Sequence, residues 1–545
     1  MKGTNLSASG YTPAPGLPLD TTLANVKITF TPIRGGPGTD VYMVYTYNVG
    51  GVNQLAALLP SSLAAGDYNV TVTNNGTVSS NFRTSVLGRK FGIITQDGSG
   101  SGNAVVQNFI SSTQYDVNRL TTGTLPASTI TYSPSHPGQV IVIWGTGIGG
   151  VLGVADNVAP GAQDFRNQVN ITVLVGGQSI TPDIYAGRAP SLPGTDEIIL
   201  TLPSNVPTGC TVSLQVSVAG QLSNPATIAI APSGAAACVS PVYSQDVLTR
   251  LDQGGSISTG AFALTSLASK ITVANITVNA TIETVAGAFS KISGAQLATA
   301  ASFQNPSGTC QVFRRVGNQT AILLGTSATN LDAGSTLTLS GPNVVATANQ
   351  LTRNADKSYS LSLGTAVSGL PFPIPGFNSA PVIAAGTYQL TGAGGADVGA
   401  FSASVTVGPR ITVTPDLPAT INRGQPLTVA WTGGNATDII NVVGYSGITV
   451  GGTSTDPIYD AGVFICTTTA GQARLVVPAS VLNQLPATPA GGLVSGTGAG
   501  IIAVLSSSVP SMSSGFFRAP LTAGGNIDTG VFLAEIGYAT NTEYQ

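Results

Sequence analysis

The chain has 545 residues and a net charge of −3, with 42% hydrophobic and only 8% charged residues. This length allows roughly four or five domains of about 100–150 residues, and a mean hydropathy of +0.30 excludes a disordered chain. Basic residues adjoin only as Arg89-Lys90 and Arg314-Arg315, which excludes the clustered charge that nucleic-acid binding needs.

Glutamate occurs only at 197, 283, 535 and 543, while Thr, Val, Ser, Gly and Asn abound. Such a composition favours strands and turns over helices. The apolar stretches are short and interrupted, far from the roughly 20 residues of a membrane span. In chain order, residues 1–90 form a first unit, with a strand alternating at Tyr68, Val70 and Val72 before the turn Asn74-Asn75-Gly76. Residues 91–128 read as a connector. Residues 129–232 repeat the first unit: Leu59-Pro60-Ser61, Gly66 and Ser80-Asn81 recur 143 residues later as Leu202-Pro203-Ser204, Gly209 and Ser223-Asn224. Val26, Ile28 and Thr29 recur as Val169, Ile171 and Thr172. In the second copy the alternation falls on Val212, Leu214, Val216 and Val218, one residue out of phase, so a bulge or a different turn length must absorb the shift.

The second copy opens with an apolar strand, Val140–Trp144, that the first copy lacks. With no apolar leader after Met1-Lys2-Gly3, the chain reads as a fragment or processed form. Residues 233–409 form a β-rich unit, with strands at Ile271–Ile282 (one slip at Ala274), Leu337–Leu339 and Tyr359–Leu363, a loop at Leu370–Pro375 and a short helix within Ser290–Ser302. Residues 410–545 close the chain with strands at Ile411–Val413, Leu427–Trp431, Val463–Ile465 and Leu475–Val477. The expected fold is all-β, a tandem of immunoglobulin-like β-sandwich domains.

Chemistry-bearing motifs are sparse. Gly145-Thr-Gly-Ile-Gly-Gly150 fits a dinucleotide-binding glycine pattern, but Val151–Pro160 beyond it would make a poor helix, so it reads as a sandwich loop. Asp97, Ser99, Ser101 and Asn103 space oxygen ligands as a calcium loop does, yet position twelve is Asn108 rather than a bidentate Glu. The flexible-linker reading is therefore preferred. His136 has no nucleophile elbow near it, Asp196-Glu197 suits a soluble strand edge, and Trp144 and Trp431 suit sandwich cores. Cys210, Cys238, Cys310 and Cys466 read as two structural disulfides of an oxidising compartment. Cys210–Cys238 with Cys310–Cys466 is the preferred pairing of three possible ones, since the first two flank one strand pair. No catalytic residue, resident metal or cofactor is expected.

The stretches Phe91-Gly-Ile-Ile-Thr-Gln-Asp-Gly-Ser-Gly-Ser-Gly-Asn-Ala104, Pro137–Gly149, Tyr185–Pro190 and Leu222-Ser-Asn224 resemble a domain of secreted acidobacterial proteins. Gly386-Thr-Tyr388, Gly394–Gly399, Trp431–Gly434 and Phe464-Ile-Cys466 resemble other parts of the same group, and the repeat itself is similar to TIG/IPT immunoglobulin-like domains. The resemblance implies export, β-sandwich modules and a place at or outside the bacterial cell surface. It brings no catalytic residues with it.

With so few charges, the surface must consist largely of Ser, Thr, Asn, Gly and small apolar groups, which associate readily. The expected function is that of a non-enzymatic structural subunit of an extracellular filament, sheath or surface layer, whose partner is another copy of itself. The alternative is an adhesin or carbohydrate-binding protein that grips extracellular glycans, and Tyr42, Tyr45 and Tyr47 are its nearest aromatic cluster.

Overall fold

The computed structural model describes residues 1–545 except 127, 152, 274–275, 303, 318–327, 369–379, 453–456, 492–496 and 511–513. The fold is all-β, as the composition dictates, with short α-helices at Gln245–Asp252, Gly294–Ser302 and Ala479–Leu482. Only the helix at Gly294–Ser302 lies where one was expected, and the strand before it runs on through Ser293.

In the first unit, strands Gly10–Pro13, Tyr42–Val49 and Val52–Leu58 form one sheet. A second sheet, built on Val26–Pro32 and Gly66–Asn74, faces it. Val26, Ile28, Val70 and Val72 from the second sheet meet Met43 and Leu55 from the first in a common core. The period-two alternation of each strand puts these residues inside.

The second unit is also two-layered, but its boundary differs from the expected one. Residues 91–128 are not a connector. They supply the strands Val106–Ser111 and Gln114–Asn118, and Val106–Ser111 pairs directly with Val140–Thr146. Phe91, Ile93 and Val106 lie in the same core as Ile141, Ile198, Val173 and Val216. The apolar run from Phe91 therefore starts this layer rather than linking two others.

The repeat holds, but not at every matched residue: Ile28 lies opposite Val72 as Val173, not Ile171, lies opposite Val216, and the counterpart of Ser223 is Ser79, not Ser80. Ser79 Oγ accepts from the Val72 backbone N–H at 3.0 Å, and Ser223 Oγ accepts from that of Val216 at 2.9 Å. Asn75-Gly76 and Ala219-Gly220 form matching left-handed turns. The equivalent offset is thus 144 residues here, against 143 at Pro60 and Pro203, which accept matching backbone bonds from Leu63 and Val206. The extra residue is absorbed by a register shift between Gly209 and Val212, a bulge of the kind the phase change required.

From residue 256 onward the expected division at 409/410 disappears. One 14-stranded sheet takes strands from both sides of it. Ser256–Val273 pairs in parallel with Thr529–Asn541, and Thr309–Gly317 pairs with Pro457–Thr469. The Cys310–Cys466 disulfide crosses the second of these pairs, while Cys210–Cys238 lies at the end of the second unit. Ile271–Ile282 is not one strand. Ser256–Val273 and Ile276–Ser293 run antiparallel as the arms of a hairpin, and the slip at Ala274 lies outside the described residues. Leu370–Pro375 lies outside them too. Two cores cover the inner face of this sheet. One gathers Phe262, Phe289, Tyr388 and Phe532, and the other gathers Trp431, Val442, Phe464 and Val504. Trp431 is buried, as expected of a sandwich tryptophan, and donates to the Ala470 carbonyl at 3.0 Å. Trp144 instead stands half-buried and donates to Gln107 Oε1.

Candidate functional site: the cleft between the modules

A groove of about 1630 Å³ runs where the first unit, the second unit and the strand Thr309–Gly317 meet. The repeated turn Leu59-Pro60-Ser61 builds one wall. The Ser61 backbone N–H and Oγ both donate to Asp156 Oδ2 at 2.8 Å, tying the two units together. Asp156 Oδ1 in turn accepts from Arg188 Nη2 at 3.2 Å. Arg188 is 5% exposed, and its Nη1 meets no acceptor among the described residues.

Asp196 lies close by and is not the soluble strand-edge carboxylate expected from sequence. It pairs inside the sheet, opposite Gly145 and Arg188, and Oδ2 accepts from the Ile148 backbone N–H at 2.8 Å. Burial pushes its carboxyl up to about 6, against the opposing pull of that bond and of Arg188. Burial also raises Glu197. The glycine-rich stretch 145–150 is thereby explained. It turns back over residues 89–91, and a Cβ on Gly147, which has φ +93°, would stand 2.2 Å from the Lys90 carbonyl oxygen. It is a packed loop, and no helix follows it among the described residues up to Pro160.

Of the four oxygen-bearing residues of the calcium pattern, Asp97, Ser99 and Ser101 bond within their own loop and Asn103 ties it to the strand Ala226–Ile230. Asp97 Oδ1 accepts from the Ser99 backbone N–H at 3.0 Å, Ser99 Oγ donates to the Ser101 carbonyl, and Asn103 Oδ1 accepts from Thr227 Oγ1. Asn108, at position twelve, is buried in the sheet against Ser133 and Ser135. His136 Nδ1 pairs with the Pro232 carbonyl at 3.1 Å, and its backbone N–H donates to Gln139 Oε1 at 2.9 Å.

At one end of the groove a smaller pocket of about 230 Å³ opens between Asp67 and Arg83 of the first unit and Arg314, Arg423 and Asp460 of the large sheet's unit. Arg314 grips Asp460 with two bonds, Nε to Oδ1 at 2.9 Å and Nη2 to Oδ2 at 2.6 Å. This bidentate bond raises the arginine further. Asp67 is held below the usual carboxylate range, first by the Ser85 hydroxyl and then by Arg83.

Tyr45, on the groove's rim, belongs to an aromatic platform. Tyr11 lies directly across the strand pair from Tyr47, and its ring centroid is 5.9 Å from Tyr45 and 6.1 Å from Tyr47. Tyr42, also considered from sequence, is not in this ring cluster. Tyr11 could not be found by proximity in sequence; only the pairing of Gly10–Pro13 with Tyr42–Val49 brings it in.

No protein-family model and no curated protein matches the chain. Two solved structures of an endo-fucoidan hydrolase from glycoside hydrolase family 107 align at 13% identity, over 78% and 71% of this chain, with TM-scores of 0.09 and 0.08. The chain spans less than half of their length, 45% and 43%. Scores this low carry no argument about fold or chemistry.

Proposed function

We propose that the protein is a structural subunit of an extracellular assembly and associates with further copies of itself through the outer face of its large sheet. The observation that carries this reading is the chemistry of that face. The strands Ile439–Gly452, Gly498–Ser507, Thr529–Asn541, Ser256–Val273 and Ile276–Ser293 lie side by side. Their outward positions include Tyr445, Ile501, Leu505, Leu533, Leu267 and Ile282, and the paired positions bring in one charge, Glu535. Leu505 and Leu267 lean together over Gly537. All are half-buried or exposed, and none belongs to a core cluster.

Five strands at ~4.8 Å spacing and ~7 residues of shared length at ~3.3 Å give a face of roughly 19 by 23 Å, or ~440 Å². An apolar patch of this size is about the largest that a typical monomer shows, and such patches are often interaction sites. Two such faces would together bury ~900 Å², which belongs to the weak end of specific contacts and suits a repeated assembly better than a tight dimer. The two disulfides favour an oxidising compartment. Among the described residues no helix is long and apolar enough to cross a membrane. Tandem modules of the TIG/IPT kind and export from the cell fit this reading. Negative-stain microscopy of the purified chain at rising concentration tests it, and particles that remain single at every concentration would refute it.

The tyrosine platform favours a second reading, adhesion to glycans. Aromatic faces stack on sugar rings, and Tyr11 is 58% exposed beside a groove of saccharide size. A glycan array probed with the wild type and with Tyr11→Ala tests it. Binding that is unaffected by the substitution would remove the platform from consideration.

A further inference from the structure

Four of the chain's 20 basic residues gather at one joint. Arg83, Arg314 and Arg423 line the 230 Å³ pocket, and Lys90 lines the adjoining groove with Arg314. They come from three distant segments and face two carboxylates, both already engaged. Asp460 is taken by Arg314, and Asp67 by Arg83 at 3.3 Å and Ser85 Oγ at 2.6 Å. Arg423 is left with the Leu485 carbonyl, 2.7 Å from Nη1, and no ion-pair partner among the described residues. Its Nε is buried and meets no acceptor among the described residues. Arg423 is half-buried, and a guanidinium whose Nε is shut off from solvent with no acceptor and no counter-charge among the described residues is costly; an anion would offset that cost.

We propose that this pocket binds an oxyanion, either a free one or the acid group of an acidic sugar, and that the bound anion bridges the first unit to the large sheet. Arginine is the side chain suited to it, because its planar fork matches carboxylate, sulfate and phosphate oxygens. The cavity holds such a group with several waters, each of which occupies ~30 Å³. The geometry makes the anion a clamp. Arg83 stands on the first unit's strand Phe82–Val86, while Arg314 and Arg423 belong to the other side. The direct bond from Arg83 across the gap goes to the Val450 carbonyl at 3.0 Å, and an anion would add shared bonds on both sides. The local excess of positive charge is also felt by its neighbours. Burial, then Arg314, lowers the proton affinity of both Arg423 and Lys90.

Isothermal titration of the whole chain tests this, with sodium sulfate and sodium glucuronate as probes and sodium chloride at matched ionic strength as the blank. Saturable binding is expected, at least tenfold weaker in Arg423→Gln and in Arg83→Gln and unchanged in Lys291→Gln. Arg423→Lys keeps the charge but loses Nε, so it should fall between wild type and Arg423→Gln. Saturation by sulfate alone would identify a tetrahedral anion, and saturation by glucuronate alone a carboxylate carried on a sugar. Wild-type heats equal to the chloride blank with both probes would overturn the proposal, as would equal affinity in both glutamine variants. Circular dichroism confirms folding, and Arg83→Gln carries the test should Arg423→Gln not fold. The result is independent of self-association, which the outer-face substitutions below address, and of the tyrosine platform, since Tyr11→Ala should leave sulfate binding intact.

Discussion

Ile501→Lys probes the outer sheet face most directly. Ile501 is 39% exposed and lies opposite Tyr445 and Asn541 at one side of the face. Full burial of an isoleucine is worth about 1.5–3 kcal/mol, so covering the fraction still exposed contributes about 0.6–1.2 kcal/mol. In a two-fold contact each substitution counts twice, giving about 1.2–2.4 kcal/mol, or roughly 7- to 60-fold in affinity. The lysine pair then meets across the contact and must snorkel or repel, which weakens it further. The monomer should be almost unaffected, because an exposed substitution of this kind shifts stability by about 0.5 kcal/mol or less. Sedimentation velocity over a concentration series in ~0.15 M salt reads the effect. Wild type should form larger species at concentrations where Ile501→Lys remains single, and Ile282→Lys on the opposite side of the face should behave alike. Val345→Lys is the control, since Val345 is 63% exposed in a loop off the face. If all three lysine variants lose assembly equally, added net charge rather than this face is responsible, and the reasoning fails.

Other consequences can be checked on the isolated chain. The Cys310–Cys466 bond spans 156 residues and Cys210–Cys238 spans 28. By loop-closure entropy the first is worth about 5 kcal/mol and the second about 3.5 kcal/mol. Paired serine substitutions should therefore lower urea midpoints in that order. Asp196 has its folded carboxyl raised to about 6 from 3.8. Its contribution to stability is complete below about pH 4 and is lost as pH rises through 6. Asp196→Asn should match wild type near pH 4 and exceed it by up to about 3 kcal/mol at pH 7, a gap of about two pKa units. Thermal melts of the two proteins across that range would show it, and parallel curves would contradict it. Gly147→Ala should cost more than about 2 kcal/mol, combining left-handed backbone strain with the clash against the Lys90 carbonyl.

The parts of the fold that were legible in the sequence are those set by neighbours along the chain. Alternation located Tyr68–Val72, Val140–Trp144, Leu427–Trp431 and Leu475–Val477, and the phase slip in the second copy announced the register shift at Gly209. Long-range pairing left no such trace. Thr259 lies beside Thr529, and Cys310 opposite Cys466, because of sheet topology that period-two patterning does not encode. The same blindness hid the candidate sites. Arg314-Arg315 was visible as a pair, but Arg83 and Arg423 meet Arg314 only in space. Tyr11 was separated from Tyr45 and Tyr47 by an entire strand of the facing sheet. The domain boundaries failed for a related reason. The glycine-rich stretch after Phe91 has the composition of a linker, yet Phe91 itself is wholly buried and starts a layer.

The scarcity of charge connects these observations. With 43 basic and acidic residues over 545, each ion pair or cation is placed rather than scattered, and several join units that sequence reasoning would have separated. Lys270 reaches Asp416, Arg410 reaches Glu283, Arg250 reaches Asp528 and Arg314 reaches Asp460, each across more than a hundred residues of chain. The exposed pair among them, Lys270–Asp416, adds little stability singly, while Glu283 and Asp460 are buried carboxylates that need their arginines. The effect of these pairs is to fix how layers meet, which leaves the outer sheet face almost bare of charge among the described residues and Arg423 and Lys90 at the basic joint without ion pairs there. These four ion pairs hold units in register while the outer sheet face carries little charge, which is the combination that the assembly proposed above would use.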